Sequence, residues 1–517
     1  MNRPAAGGAE RPGAYAWYAL GLLTAINAVN YIDRNVIFVL FEPIKQELGL
    51  TDTQLGWLGS AYIILFSAGA VPLGILADLR SRRNVIAAGV AVWSAFTALS
   101  GLARQYWQLL VCRSMVGIGE AAYSPAAQSL LADYFPSQGR ALAFGVFWGG
   151  LAVGGVGGIW LGGELEHLYG WRTAFMAVSV PGLLLAMLTT QLRDPTRDER
   201  RLSVLDMIRR LELTVWHLVQ GTWPLWAMGA AGLGLALVLD RLGYVTAEDE
   251  GAIVGTALGL GAAATVARMV RRLLASRGEH RRRPMALTTL DEIIEAGRLV
   301  LRTPTLIWVF SGGALISFAM NGLVGWSPSY LQRELGLEPQ MAGRLMGVWG
   351  LIAGSLGVVF GGRVADWLKE RHSTGRVVAS AAGFLLGAPM CVLLLTVRDL
   401  DAFIPLFFVT IFLFTWYNGP VTAVIFDVVP SSIGASVVGA YVFFSHLAGD
   451  AVAYPLIGFL SDRFGIRTAM YLLPLVAVAG AGVLLVGTRT VAGDMQRLAE
   501  ISPGPPPGPP RRTPVES

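Results

Sequence analysis

Cysteine and histidine are nearly missing from this sequence, and charge is scarce. The two cysteines, Cys112 and Cys391, both fall inside apolar runs, which excludes a disulfide framework and a zinc cage. The five histidines are scattered, with no spacing that would hold a metal. No phosphate-cradling loop and no nucleophile beside a base occurs, so nothing points to an enzyme, a cofactor or an ATP-driven pump. Charged residues make up 15% of the chain, against about a quarter in soluble domains. The output domain of a membrane sensor or scaffold is not evident either. Met1 to Tyr15 lack the basic start, short apolar core and cleavage site of a signal peptide.

What is present is hydrocarbon-compatible length. Hydrophobic residues make up 54% of the chain and mean hydropathy is +0.55. Apolar stretches of about 20 residues recur, each long enough to cross about 30 Å of bilayer as a helix. They do not alternate every second residue, which argues against a β-barrel. The pattern predicts an all-α polytopic membrane protein with spans at about 15–40, 54–77, 84–103, 107–132, 138–163 and 171–192. Two more lie at about 223–243 and 251–270, and six at about 304–331, 340–364, 376–397, 402–428, 434–460 and 468–489. The expected organisation is therefore a tail (1–14), a six-helix half (15–192) and a central stretch (193–303) with an extra hairpin at about 223–270. A second six-helix half (304–490) and a Pro-rich, disordered tail (491–517) follow.

The net charge of +5 does not indicate nucleic acid, because the basic residues sit in loops between apolar runs. Arg80, Arg82, Arg83, Arg363, Lys369, Arg371 and Arg376, with the central basic stretches, place these loops and both termini in the cytoplasm of a cell-membrane protein. The halves also repeat each other. Glu47-Leu-Gly-Leu returns as Glu334-Leu-Gly-Leu, Asp78 of Gly74-Ile-Leu-Ala-Asp as Asp366 of Gly362-Arg-Val-Ala-Asp, and Gly170-Trp-Arg-Thr-Ala as Gly465-Ile-Arg-Thr-Ala. Parallel duplication of six helices describes a transporter with its site between the halves near the bilayer midplane.

Gly74-Ile-Leu-Ala-Asp-Leu-Arg-Ser-Arg-Arg83 resembles the loop signature of the major facilitator superfamily, with Leu79 and Ser81 in place of the usual basic residue and glycine. The resemblance implies a gating latch involving Asp78, Arg82 and Arg83, with Asp366 as the repeat of Asp78. Asn30-Tyr-Ile-Asp-Arg34, the block Arg113–Phe135, and Ser445-His-Leu-Ala-Gly-Asp450 with its trailing Ser-Asp462-Arg463 are similar to the Spinster transporters. That resemblance implies a lysolipid or sphingoid-phosphate substrate and proton coupling. The inserted hairpin departs from the usual twelve spans; its glycines and alanines suit packing on the carrier's flank or dimerisation.

An ionised side chain at the bilayer centre costs at least about 2.5–3.5 kcal/mol unless paired or wet. Asp33 and Arg34 are adjacent, point about 100° apart and cannot easily face each other. Asp33 and Arg113 fall at similar depth, which predicts an ion pair between them. Glu120, two helical turns from Arg113, is the candidate proton carrier, because burial penalises its charged form. Its alternative is a structural carboxyl bonded to nearby backbone. Arg34 is then free for an anionic head group, with Asn27, Asn30 and Tyr31 around it. His446 and Asp450, four apart, relay a proton, lock the halves or form a satisfied buried pair. Asn321, Trp326, Trp416, Tyr417 and Asn418 line an amphiphile's path or serve as packing. The expected partners are thus an amphiphilic lipid, protons and the bilayer, with small organic anions as the alternative substrate.

Overall fold

The computed structural model describes residues 13–79, 81–135, 137–194, 223–241, scattered positions between 257 and 271, 299–430 and 433–501. The first residues, both central basic stretches, most of the second hairpin run and the Pro-rich tail lie outside these. Regular structure among the described residues is helical throughout. Seven of the helical segments are long and apolar enough to cross a membrane by length and composition.

The first half comprises α1 (Ala14–Val39), a short α2 (Phe41–Leu48), α3 (Asp52–Leu79), α4 (Arg82–Ser100), α5 (Tyr106–Tyr134) and α6 (Ser137–Thr189). Within α6, Gly170 leaves helical geometry at φ 79° and ψ 162°, so two spans meet at a bend. The second half comprises α8 (Pro304–Glu334), α9 (Pro339–Arg371), α10 (Gly375–Thr396) and α11 (Leu400–Phe414), which runs through a 3₁₀ turn (Thr415–Tyr417) into α12 (Asn418–Val428). Then α13 (Gly434–Ser445) passes through a π-turn (His446–Asp450) into α14 (Ala451–Phe464), followed by α15 (Ile466–Met470) and α16 (Leu472–Ile501). These helices form one compact unit. A second unit comprises Asp78–Arg80 and Thr196–Leu299. It contains α7 (Trp223–Arg241), and there the Arg268 guanidinium lies 5.4 Å from the Trp223 ring centre.

Small residues set the helix approach in the first half. Gly150, Gly154 and Gly158, four apart on α6, lie against α1 so closely that a Cβ on Gly150 would meet the Thr24 carbonyl oxygen at 2.7 Å. This is the close packing that small residues permit in membranes.

The repeated motifs make equivalent structures. In the first half Glu47 bonds Arg172 at 2.9 Å and Trp171 Nε1 at 2.6 Å. In the second, Glu334 bonds Arg467 at 2.8 Å. The glycines of these motifs, Gly49, Gly170, Gly336 and Gly465, are the positive-φ residues found among those described. Only glycine adopts that conformation without a Cβ penalty, which explains its place in both copies.

The halves meet at the end bearing the α1–α2 connection, here the distal end. Arg333 of α8 bonds Glu42 at 2.6 Å and Asp52 at 2.6 Å. Glu164 of α6 accepts from Gln340 at 2.6 Å and pairs with Arg344 of α9. Phe41 packs against Trp326, ring centres 5.4 Å apart. At the opposite, proximal end the described ion pairs of Arg82 and of Arg376 each stay within one half. There Arg82 bonds Asp133 at 2.7 Å and Asp194 at 2.9 Å within the first half, while Arg376 bonds Asp427 at 2.8 Å and Asp366 at 3.1 Å within the second.

Candidate functional site

Two ion pairs lie side by side in the middle of the first half. Arg113 Nη1 donates to Asp33 Oδ1 at 3.1 Å, and the Thr97 hydroxyl of α4 donates to the same carboxylate. Arg34 Nε donates to Glu120 Oε2 at 2.6 Å. All four residues are buried, Arg113 completely, and Arg34 is the most open at 9% exposed. Glu120 Oε1 and Arg113 Nε are buried without a hydrogen-bond partner.

The sequence places these groups through helix geometry. Arg113, Gly117 and Glu120 follow one face of α5, and Gly117 admits the α3 backbone between the two charges. A Cβ there would lie 3.0 Å from the backbone nitrogen of Phe66. That approach brings two rings of α3 to Arg34, which Tyr31 of its own helix also flanks: its Cζ is 4.8 Å from Tyr31, 5.4 Å from Tyr62 and 4.7 Å from Phe66. The Tyr62 ring is also 5.8 Å from Arg113. Aromatic faces attract cations at such distances, so Tyr62 serves both guanidinium groups.

Arg34 is therefore not the unpaired cation the sequence suggests. With α3 and α5 drawn together at Gly117, Glu120 reaches across to α1 rather than back to Arg113. Asn27 is also committed, its Nδ2 donating to the Phe147 carbonyl at 2.9 Å. Asn30 is 3% exposed and its Nδ2 has no partner among the described residues.

In the second half Asp450 is the centre. His446 Nδ1 lies 2.5 Å from Oδ2, while Ser317 Oγ donates to Oδ1 at 2.5 Å and Asn321 Nδ2 at 2.9 Å. The His446 side chain is 36% exposed, and the pair occupies the π-turn, a helix defect frequent at functional sites. These bonds stay inside the second half, so the pair does not lock the halves together. Of the residues expected to line a path, Asn321 belongs to this cluster. Trp326 does not line a path; it is fully buried and donates to the Tyr454 carbonyl at 3.2 Å. Trp416 is packing too, against Phe360 at 5.3 Å and Phe412 at 5.9 Å. Tyr417 stands edge-on to Phe384 at 5.5 Å, and the Asn418 amide turns back to the Thr415 carbonyl at 3.4 Å.

Among the gating candidates, the Asp78 side chain lies outside the described residues. Arg83 donates to the Leu192 carbonyl at 3.0 Å, and Arg463 stacks on Phe459 at 4.3 Å. Asp462 crosses to the other half, accepting from the Asp52 and Thr53 backbone N–H groups at 2.7 and 2.8 Å. Asp52, Arg333, Ser60 and Tyr62 escaped the sequence reading. For Asp52 a signal existed: Thr51 and Gln54 form a capping box, Gln54 N–H to Thr51 Oγ1 at 3.2 Å and Thr51 N–H to Gln54 Oε1 at 3.0 Å.

Residues 23–449 match the Major Facilitator Superfamily. The chain belongs to this family. An MFS-type efflux pump of Mycolicibacterium smegmatis is 26% identical over 449 residues, covering 86% of this chain and 85% of that one. A sphingosine-1-phosphate transporter of Xenopus tropicalis is 24% identical over 529 residues, covering 95% and 86%. A crystal structure of a bacterial homologue of the human lysosomal transporter Spinster, inward-facing and unoccupied, superposes with a TM-score of 0.70. It is 21% identical and covers 94% of this chain and 99% of that one. This major facilitator is thus a multi-pass membrane transporter with a Spinster-like fold.

Proposed function

We propose that this transporter moves a lysolipid-like amphiphile by alternating access, coupled to protons. The observation that carries the reading is the Arg34–Glu120 pair, buried yet with Glu120 Oε1 unpartnered. A proton on Glu120 removes the charge that holds Arg34, and the guanidinium then meets an anionic head group bidentately. Proton and head group therefore load together. Asp33, which also accepts from Thr97, holds Arg113 beside the Arg34–Glu120 pair. Asn321 and the half-open His446 face the task of receiving the rest of a polar head. The rings of Tyr31 and Phe66 suit an apolar chain better than a sugar acid, and a relative named for sphingosine-1-phosphate transport supports the lipid reading.

The positive-inside pattern supports cytoplasmic termini. The distal end is then external, and its closure corresponds to an inward-open carrier. On this reading the hairpin expected at about 223–270 is dispensable for transport. The deciding experiment is uptake into proteoliposomes of a panel of lysolipids and small organic acids, with and without an imposed pH gradient. Gradient-driven uptake of a lysolipid supports the proposal; uptake of organic acids alone replaces its substrate.

A further inference from the structure

Ser60 lies in the distal third of α3, is 0% exposed, and donates its hydroxyl to the Ala451 carbonyl of the other half at 2.8 Å. The acceptor is unusual for a reason written in the sequence. Ala451 opens α14 immediately after the π-turn, and the residue four further on is Pro455. Proline has no N–H, so the donor that an ordinary helix would supply to the Ala451 carbonyl does not exist. Ser60 supplies one from the opposite half.

The surrounding packing places this bond closely. One turn earlier on α3, Gly56 lies against the same proline, where a Cβ would come within 2.5 Å of Pro455 Cα. Two residues later, Tyr62 presents its ring to Arg34 and Arg113. On the far side, Ala451 adjoins Asp450, the acceptor of His446, Ser317 and Asn321. Ser60 therefore sits between the ion pairs of one half and the polar cluster of the other.

The geometry points to Ser60 as the residue that sets the balance between transport states, by lending a hydroxyl to a proline-orphaned carbonyl only while the distal end is closed. When α3 and α14 part, the Ala451 carbonyl loses this donor and must find water or a substrate polar group. Closure is favoured by the mismatch between an orphan acceptor and a hydrocarbon surround. The inference rests on the alternating-access reading but not on the substrate or on proton coupling.

Spin labels joined by oxime chemistry to a keto amino acid placed at Gln46 and at Phe464, one per half at the distal end, leave thiols unlabelled and report the opening by double electron–electron resonance on the full chain in lipid nanodiscs. Ser60→Ala is expected to raise the long-distance to short-distance ratio about five- to thirtyfold. In a Pro455→Ala background, which restores the N–H, Ser60→Ala should have little further effect. Should Pro455→Ala fail to fold, Ser60→Cys separates hydrogen bonding from packing, since it keeps the shape with only a weak donor and should also shift the ratio toward opening. An unchanged ratio in Ser60→Ala, an equal shift with Pro455 replaced, or wild-type behaviour of Ser60→Cys overturns the inference. Loss of alternating access itself would show differently, as one distance under every substrate and pH condition in wild type and variants alike.

Discussion

Asp462 caps a helix that belongs to the other half, its carboxylate accepting the Asp52 N–H at 2.7 Å and the Thr53 N–H at 2.8 Å. With Gln54 N–H on Thr51 Oγ1 and Leu55 N–H on the Thr51 carbonyl at 3.1 Å, the first N–H groups of α3 are all engaged. A helix start leaves these donors orphaned unless something accepts them. Here the distal closure is part of a helix cap.

Asp462→Ala should therefore weaken the closed distal end by about 0.5–2 kcal/mol, the range for a lost N-cap. Hydrogen exchange at residues 52–55 reads this directly. Faster exchange confined to that turn fits the cap; unchanged exchange would remove Asp462 from the gate.

Arg113→Ala should destabilise by about 3–5 kcal/mol, because it strands the buried Asp33 carboxylate. Adding Asp33→Asn should recover part of the loss. Thermal unfolding of both singles and the double gives the coupling energy, and simple additivity would mean that the 3.1 Å contact carries no energy.

Glu120→Gln should keep the fold, since the amide retains shape and can still accept from Arg34, but it cannot titrate. Accumulation against a pH gradient should fall at least about tenfold while counterflow exchange persists. Gradient-driven accumulation at the wild-type level in the variant would assign the proton elsewhere.

The Asp52–Arg333 contact of the distal latch should be insensitive to physiological pH. Asp52 lies just ahead of the span at 54–77. Burial alone would raise its carboxyl, but Arg333, Lys45 and Ser461 hold it down at about 2. A lowered folded-state value contributes stability that is present above the unfolded value of about 3.9 and is lost as pH falls toward 2. Asp52→Asn should consequently lower the melting temperature equally at pH 5.5 and pH 7.5. A difference between those two values would mean that Asp52 titrates in the working range.

Much of this was readable from the residues. The duplicated Glu-Leu-Gly-Leu and Gly-x-Arg-Thr-Ala motifs mark turns whose glycines need positive φ and whose Glu and Arg meet, so chemistry and position were specified together. The Asp33–Arg113 contact followed from depth alone. The partner of Arg34 did not, because the choice between Glu120 and a ligand is made by how closely α3 and α5 approach at Gly117. Trp326 and Trp416 stayed open between path and packing for a related reason. In a membrane helix every face is apolar, so an aromatic residue does not declare whether it meets lipid, a cavity or another helix.

The placement of charge along the bundle axis has a kinetic consequence. The midplane ion pairs described each close within one half, whereas Arg333–Asp52 and Arg344–Glu164 join the halves at the distal end. A rocking half carries its own counter-ions with it, so no opposite charges are torn apart in hydrocarbon during a turnover. The ionic toll of switching falls on a rim that water enters as it opens. Interconversion should accordingly quicken with ionic strength on the face bathing that rim.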